Sequence, residues 1–192
     1  MGYQGLPGRH SPLSDRALDA RDLLRLAALS GAARMTVCAD DIWLLIEDMV
    51  GDLWQPAGSV LADAMTALIA EDALSVHGLT PAGEPLMTIT QSGHAMLAGL
   101  MSRPIGRPGC PLSETALRLK IACLDLLPSG QRAQSLAGVI QGCRDALTEQ
   151  HRRFALCPAQ GPFSRMWQHH ETERLNRMLS GLTAHDSPAL RD

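Results

Sequence analysis

The sequence predicts a mainly α-helical fold in two parts, the first of which includes one short β-hairpin. The chain has 192 residues; hydrophobic residues make up 45% of it, and aromatic residues make up only 3%. Alanine, leucine and methionine favour helices, whereas sheets prefer aromatic and β-branched residues. The length suffices for one large domain or two small ones with a buried core. With 19% charged residues, the composition is that of a globular protein rather than of a disordered chain.

Composition and motifs also exclude several classes of protein. The longest stretch without a charged side chain, residues 85–102, is too polar to cross a bilayer, and the amino terminus has no apolar signal segment. We therefore expect a cytoplasmic protein with no membrane partner. Five cysteines form no CxxC pair, so we expect neither a metal site nor a disulfide frame, and no cofactor. GxSxG, P-loop and GxGxxG motifs are lacking, and we expect no enzymatic activity.

Two helices are predicted near the amino terminus. The first begins after Ser14 and ends at Gly31, because glycine is a frequent helix terminator. The second is capped by Asp40 or Asp41, because an aspartate side chain can accept hydrogen bonds from the free N–H groups of the first turn. Gly51 ends this second helix.

A third helix follows the turn at residues 53–59. One of its faces is apolar and should be buried; it carries Val60, Leu61, Ala64, Met65, Leu68 and Ile69. The opposite face carries Ser59, Asp63, Thr66 and Ala70. If this helix enters a groove of DNA, the first three of these side chains meet the bases.

A hairpin and a fourth helix complete the first part of the chain. Strands at residues 73–77 and 86–90 flank a Gly/Pro turn, and a helix follows through Met101. Three helices, a hairpin and a helix form the order of a winged helix-turn-helix. We place this domain at residues 13–103, after a flexible arm at residues 1–12.

The second part is predicted to be a helical dimerisation domain at residues 113–185, which follows a Pro/Gly-rich linker at 104–112 and precedes a tail at 186–192. Ser113 and Glu114 can cap its first helix, and longer helices follow at about 131–157 and 163–182. The two long helices can pack antiparallel and leave apolar surface for a second chain. The predicted dimerisation residues are Leu136, Ile140, Cys143, Leu147, Phe154, Trp167, Leu175 and Met178.

Three segments resemble motifs of a known family. LWQPAGSV at residues 53–60 resembles the turn that opens a recognition helix, and ALIAEDAL at 67–74 resembles the exit from that helix. TQSGHAML at 90–97 resembles the exit from a wing. With the arginine-bearing last helix, these segments resemble the PadR and AphA-like family of bacterial winged-helix transcription regulators, from about residue 17 to residue 182.

The resemblance implies a homodimer in which the carboxy-terminal helices join the protomers and two winged helices bind a roughly palindromic operator. Some relatives bind small aromatic or phenolic effectors between the domains. A corresponding effector pocket in this chain is expected at Trp54, Met65, Phe154 and Trp167, because pockets often lie at domain boundaries.

The charge distribution departs from that expectation. Residues 35–102 contain no Lys or Arg and nine acidic residues, a formal charge of -9. Proteins obtain most of their affinity for duplex DNA from Lys and Arg that neutralise phosphates. By this criterion the winged helix is a poor DNA-binding module.

Two hypotheses follow. In the first, Arg16, Arg21 and Arg34 contact phosphates beside the groove, while Ser59, Asp63 and Thr66 face the bases. In the second, DNA binding is lost, and the winged-helix dimer acts as a protein- or ligand-interaction module. The sequence does not decide between them.

Overall fold

The computed structural model describes residues 16–158 and 161–185. The predicted arm at residues 1–12, Ser14 itself and the tail at 186–192 lie outside the described residues. The prediction that the first helix begins directly after Ser14 is wrong, because residues 16–19 are not helical and the helix begins at Ala20, where the Asp19 side chain accepts a hydrogen bond from the N–H of Asp22.

The first part of the chain has the winged helix-turn-helix order that the sequence predicts, and the fold class is confirmed. Its elements are α1 (Ala20–Arg34), α2 (Ala39–Val50), a 3-10 turn (Gly51–Leu53), α3 (Gly58–Ala70), β1 (Leu74–Leu79), β2 (Pro85–Ile89) and α4 (Gln91–Ser102). The strands are antiparallel, with a bulge between Val76 and Gly78. Val37 adds a short bridge to Met87, with N–H···O distances of 2.9 and 2.8 Å, and thereby joins the α1–α2 connection to the hairpin.

The second part is helical and packs onto the first through its first helix. Its elements are α5 (Pro111–Cys123), a 3-10 turn (Leu124–Leu126), α6 (Ser129–Leu156) and α7 (Pro162–His185). Leu119 and Cys123 on α5 belong to the core of the winged helix, whereas Leu117 packs with Ile140 and Leu182 in a second core between α5, α6 and α7. Because α5 contributes to both cores, it fixes the position of α6 beside α4.

The prediction that Gly31 ends the first helix is wrong, because α1 continues to Arg34. A Cβ atom at Gly31 would lie 2.6 Å from Cδ1 of Ile42 on α2. The glycine allows α1 and α2 to approach closely and does not terminate the helix.

Two predicted helix caps are also wrong. Cys38 is the N-cap of α2, and its backbone N–H donates to Oδ2 of Asp41 at 2.9 Å, so the aspartate closes the first turn from inside the helix. Cys110 is the N-cap of α5, ahead of the predicted Ser113 and Glu114. The helix starts early because Pro111 occupies its first position, where the fixed φ of proline suits a helix and the missing N–H costs nothing.

The fold buries two thiols, and we expect it to lose stability at alkaline pH for this reason. Burial raises the pKa of Cys123 and that of Cys143 to about 11, from 9.0. Because the folded pKa is raised, the stabilising contribution of each protonated thiol is fully present below pH 9 and is lost between pH 9 and 11. In urea unfolding, Cys143→Ala should therefore cost about 2 kcal/mol less at pH 11 than at pH 8. Cys157→Ala, at an exposed site, controls for the loss of one thiol, and an unchanged cost for Cys143→Ala would contradict the prediction.

Candidate nucleic-acid interface

The helix-turn-helix is formed by α2, the 3-10 turn and α3. Gly51 ends α2 with φ +60°, a conformation that L side chains rarely adopt, and so lets the chain turn sharply. Along α3 the buried side chains are Leu61, Ala64, Met65 and Leu68. Because these residues repeat at three- and four-residue spacing, they fix which face of α3 is presented to solvent. The prediction that Val60 is buried with them is wrong, because Val60 lies in the first turn of α3, lines the groove between α1 and α3 and is 48% exposed.

The outward face of α3 carries the three residues that the sequence singled out. Ser59, Asp63 and Thr66 are all exposed, which agrees with the predicted face. The Thr66 hydroxyl donates to the carbonyl of Ala62 at 2.9 Å, one turn earlier on the same helix. The side chains on this face are therefore short, and Asp63 is the charged residue among them.

A groove separates α3 from α1 beside this face. It has a volume of about 360 Å³ and is lined by Ala20, Arg21, Leu24, Val60, Asp63 and Ala64. Arg21 on α1 and Asp63 on α3 thus line the same groove. The sequence does not show that Arg21 is a neighbour of Asp63, because residues 42 positions apart are brought together only by the packing of α1 on α3.

The other arginines near the winged helix form bonds within the chain. Arg16 pairs with Asp19, and the Arg34 side chain donates to the carbonyl of Ala122 on α5. Arg21, in contrast, is exposed and lines the α1–α3 groove. Of the three arginines predicted to contact DNA, Arg21 is the one that the structure brings beside α3.

The charge of this surface is strongly negative. Eight of the nine acidic residues of segment 35–102 are exposed, and Glu84 is half-buried near the tip of the hairpin. Gly83 forms the hairpin turn with φ +86°, and the backbone N–H of Glu84 donates to the Thr80 hydroxyl at 3.1 Å. Because no Lys or Arg lies in this segment, the hairpin brings no cation toward a phosphate.

The predicted dimerisation residues divide into two groups. Leu136, Ile140, Cys143 and Leu175 are buried within the single chain. Leu147, Phe154 and Met178 are half-buried, and Trp167 is 60% exposed. Exposed apolar side chains gather where α6 ends and α7 begins. We call this group the apolar tip; it consists of Leu156, Phe163, Met166 and Trp167.

The predicted effector-pocket residues lie in different parts of the molecule. Met65 is buried in the core of the winged helix, and Trp54 packs against that core. Phe154 and Trp167 lie on α6 and α7. A cavity of about 430 Å³ does lie between the end of α4 and α6, but other residues line it. Within the described residues, no helix has both the length and the apolar character needed to span a bilayer.

No protein-family model matches the chain, and no curated protein matches it. Solved structures of Bacillus subtilis PadR do match. The chain is similar to PadR over most of its length. A crystal structure of PadR is 17% identical with a TM-score of 0.41, and the match covers 92% of this chain and 100% of that one. A crystal structure of PadR in complex with operator DNA is 17% identical with a TM-score of 0.42, and the match covers 85% of this chain and 97% of that one. A crystal structure of PadR in complex with p-coumaric acid is 17% identical with a TM-score of 0.40, and the match covers 92% of this chain and 100% of that one.

Proposed function

We propose that the protein is a homodimeric, PadR-like transcription regulator that binds duplex DNA with α3. The observation that carries the proposal is the outward face of α3, which is solvent-exposed within a winged helix-turn-helix and lies beside a groove lined by Arg21. In this architecture the second helix of the helix-turn-helix enters the major groove, with its amino-terminal residues nearest the bases. Ser59 and Asp63 occupy that end of α3.

The acidic surface implies that binding depends on few cations. A salt titration of binding to duplex DNA tests this, because each neutralised phosphate contributes about 0.9 to the slope of log affinity against log salt. The proposal expects a measurable slope that falls when Arg16, Arg21 and Arg34 are replaced by alanine together. Arg21→Ala alone should account for most of the decrease, since Arg16 and Arg34 bond within the chain. A slope of zero for the wild-type dimer would contradict DNA binding.

Substitution of Asp63 tests whether α3 faces the DNA. Asp63→Arg should strengthen non-specific duplex binding about tenfold at low salt, because it removes one repulsion and adds one phosphate contact. Adding Thr66→Lys should strengthen binding further. Asp125→Arg makes the same change in charge at an exposed site in the second part of the chain and serves as the control in a gel-shift assay. If the variants at Asp63 and Asp125 bind alike, the outward face of α3 does not face the DNA.

A second candidate function follows from the acidic surface. Segment 35–102 carries eight exposed carboxylates and no Lys or Arg of its own, although Glu71 pairs with Arg25 on α1. This charge favours a winged helix that has lost DNA binding and contacts a protein or ligand instead. The same gel-shift series separates the two functions. Folded dimers that show no affinity for duplex DNA at low salt, with or without Asp63→Arg, would support the interaction module.

The homodimer in this proposal is supported by the apolar tip. Its four large side chains are 60–79% exposed in the single chain. A cluster of this kind is costly in water, and homodimers commonly bury such a cluster against its own symmetry mate. The proposal also includes a small-molecule effector, which the boundary between winged helix and carboxy-terminal helices could accommodate.

A further inference from the structure

Lys120 is the only lysine of the chain, and it is buried. It is 3% exposed, and its ammonium donates to the carbonyl of Met101 at 2.8 Å and to the carbonyl of Arg103, at the end of α4. An ammonium group has three N–H donors, so one donor remains after these two carbonyls. Burial, followed by the positive charge of Arg103, lowers the pKa of Lys120 to about 8. A negatively charged acceptor would stabilise this cation.

The cavity of about 430 Å³ between the end of α4 and α6 opens beside Lys120. Ser135 on α6 also lines the cavity, and its hydroxyl can donate a hydrogen bond to a ligand there. Lys120 and Ser135 thus provide two hydrogen-bond donors in one open cavity.

Asp145 lines the same cavity, and its Oδ1 accepts a hydrogen bond from Gln141 at 2.8 Å. A simple anion in the cavity would be repelled by this carboxylate, and a simple cation would be repelled by Lys120 and Arg103. A zwitterion matches both signs of charge. The wall also includes three apolar side chains, Met101, Pro104 and Ile105, which can contact an apolar part of the ligand.

We propose that this cavity binds a free α-amino acid with an apolar side chain. The carboxylate of the amino acid accepts hydrogen bonds from Lys120 and Ser135, and its ammonium group pairs with Asp145. The ligand would bridge the end of α4 to α6, and hence the winged helix to the dimerisation helices. This ligand class rests on the effector part of the proposed function. Because ligand binding is measured without DNA, the amino-acid site and DNA binding can each fail alone.

The single lysine allows a direct measurement. In protein labelled with ¹³C-lysine, the Cε signal reports the titration of Lys120 alone. Arg103 and Cys123, which lies on the same helix, influence the pKa of Lys120. Asp145 on α6 is the carboxylate that lines the same cavity. Millimolar L-leucine should raise the titration midpoint by about one unit, because a carboxylate beside an ammonium favours its charged form. The probes 4-methylpentanoate, which lacks the ammonium group, and 3-methylbutylamine, which lacks the carboxylate, should raise it much less or not at all.

Two variants keep Lys120 in place and test the site. Asp145→Asn should weaken leucine binding at least tenfold while leaving 4-methylpentanoate unaffected or bound more tightly. Gly138→Leu should abolish binding by filling the cavity, since Gly138 lines it and an added Cβ meets nothing within 4 Å. Gly181→Leu on α7, where an added Cβ also meets nothing within 4 Å, is the matched control and should bind leucine normally. The proposal is overturned if leucine leaves the midpoint unchanged, if 4-methylpentanoate binds as tightly as leucine, or if Gly138→Leu still binds.

Discussion

Gly93→Ala should destabilise the fold by about 3 kcal/mol, the upper end of the usual cost of overpacking. Gly93 lies in the first turn of α4, where its N–H donates to the Thr90 hydroxyl at 3.0 Å. A Cβ atom there would lie 2.1 Å from the carbonyl oxygen of Ala73 and 2.6 Å from Cγ1 of Ile89. The first of these atoms is backbone at the start of the hairpin and cannot rotate away. The clash must therefore displace α4 from the sheet.

Gly99→Ala is the matched control for this prediction. Gly99 lies on the same helix, is exposed, and an added Cβ there meets nothing within 4 Å. Alanine has a higher helix propensity than glycine, so Gly99→Ala should stabilise the protein by up to about 1 kcal/mol. Urea unfolding followed by circular dichroism measures both variants. If Gly93→Ala and Gly99→Ala have the same effect, the close contact between α4 and the hairpin is not formed.

Gly31 and Gly93 both allow close packing of two elements, and they illustrate what the sequence could and could not predict. Apolar spacing predicted the buried face of α3 except at Val60, because a regular helix repeats every 3.6 residues and the pattern is local. Gly31 was interpreted as a helix end, since glycine terminates helices more often than it allows two of them to approach. The distance from its missing Cβ to Ile42 depends on how α1 packs on α2, and no local pattern carries that information.

The candidate sites show the same difference between features of one helix and contacts between two helices. The exposure of Ser59, Asp63 and Thr66 follows from one helix and was predictable. The groove that Arg21 and Asp63 line lies between two helices, and it was not predictable from the sequence. The sequence also placed the effector pocket on three aromatic side chains and Met65, whereas the boundary cavity is lined by Lys120 and by other polar and apolar residues. A buried lysine gives no sequence signal, because most lysines are exposed.

Trp167→Asp should convert the proposed homodimer into a monomer. Trp167 is 60% exposed in the single chain and lies in the apolar tip beside Phe163, which is 79% exposed. A tryptophan at the centre of an interface commonly contributes about 2 kcal/mol or more, and a two-fold symmetric dimer loses two copies at once. The total of about 4 kcal/mol corresponds to a roughly thousandfold increase in the dimer Kd. Sedimentation velocity at micromolar concentration should then show a monomer for the variant and a dimer for the wild type.

Ser180→Asp provides the control, because it adds the same charge at an exposed position on α7 without removing an apolar side chain. It should sediment as a dimer. Circular dichroism should show unchanged helix content for both variants, since Trp167 does not belong to either buried core. A Trp167→Asp variant that remains dimeric would show that the apolar tip is not the dimer interface. A wild-type protein that is monomeric at micromolar concentration would contradict the homodimer itself, and with it the requirement for two α3 helices on one operator.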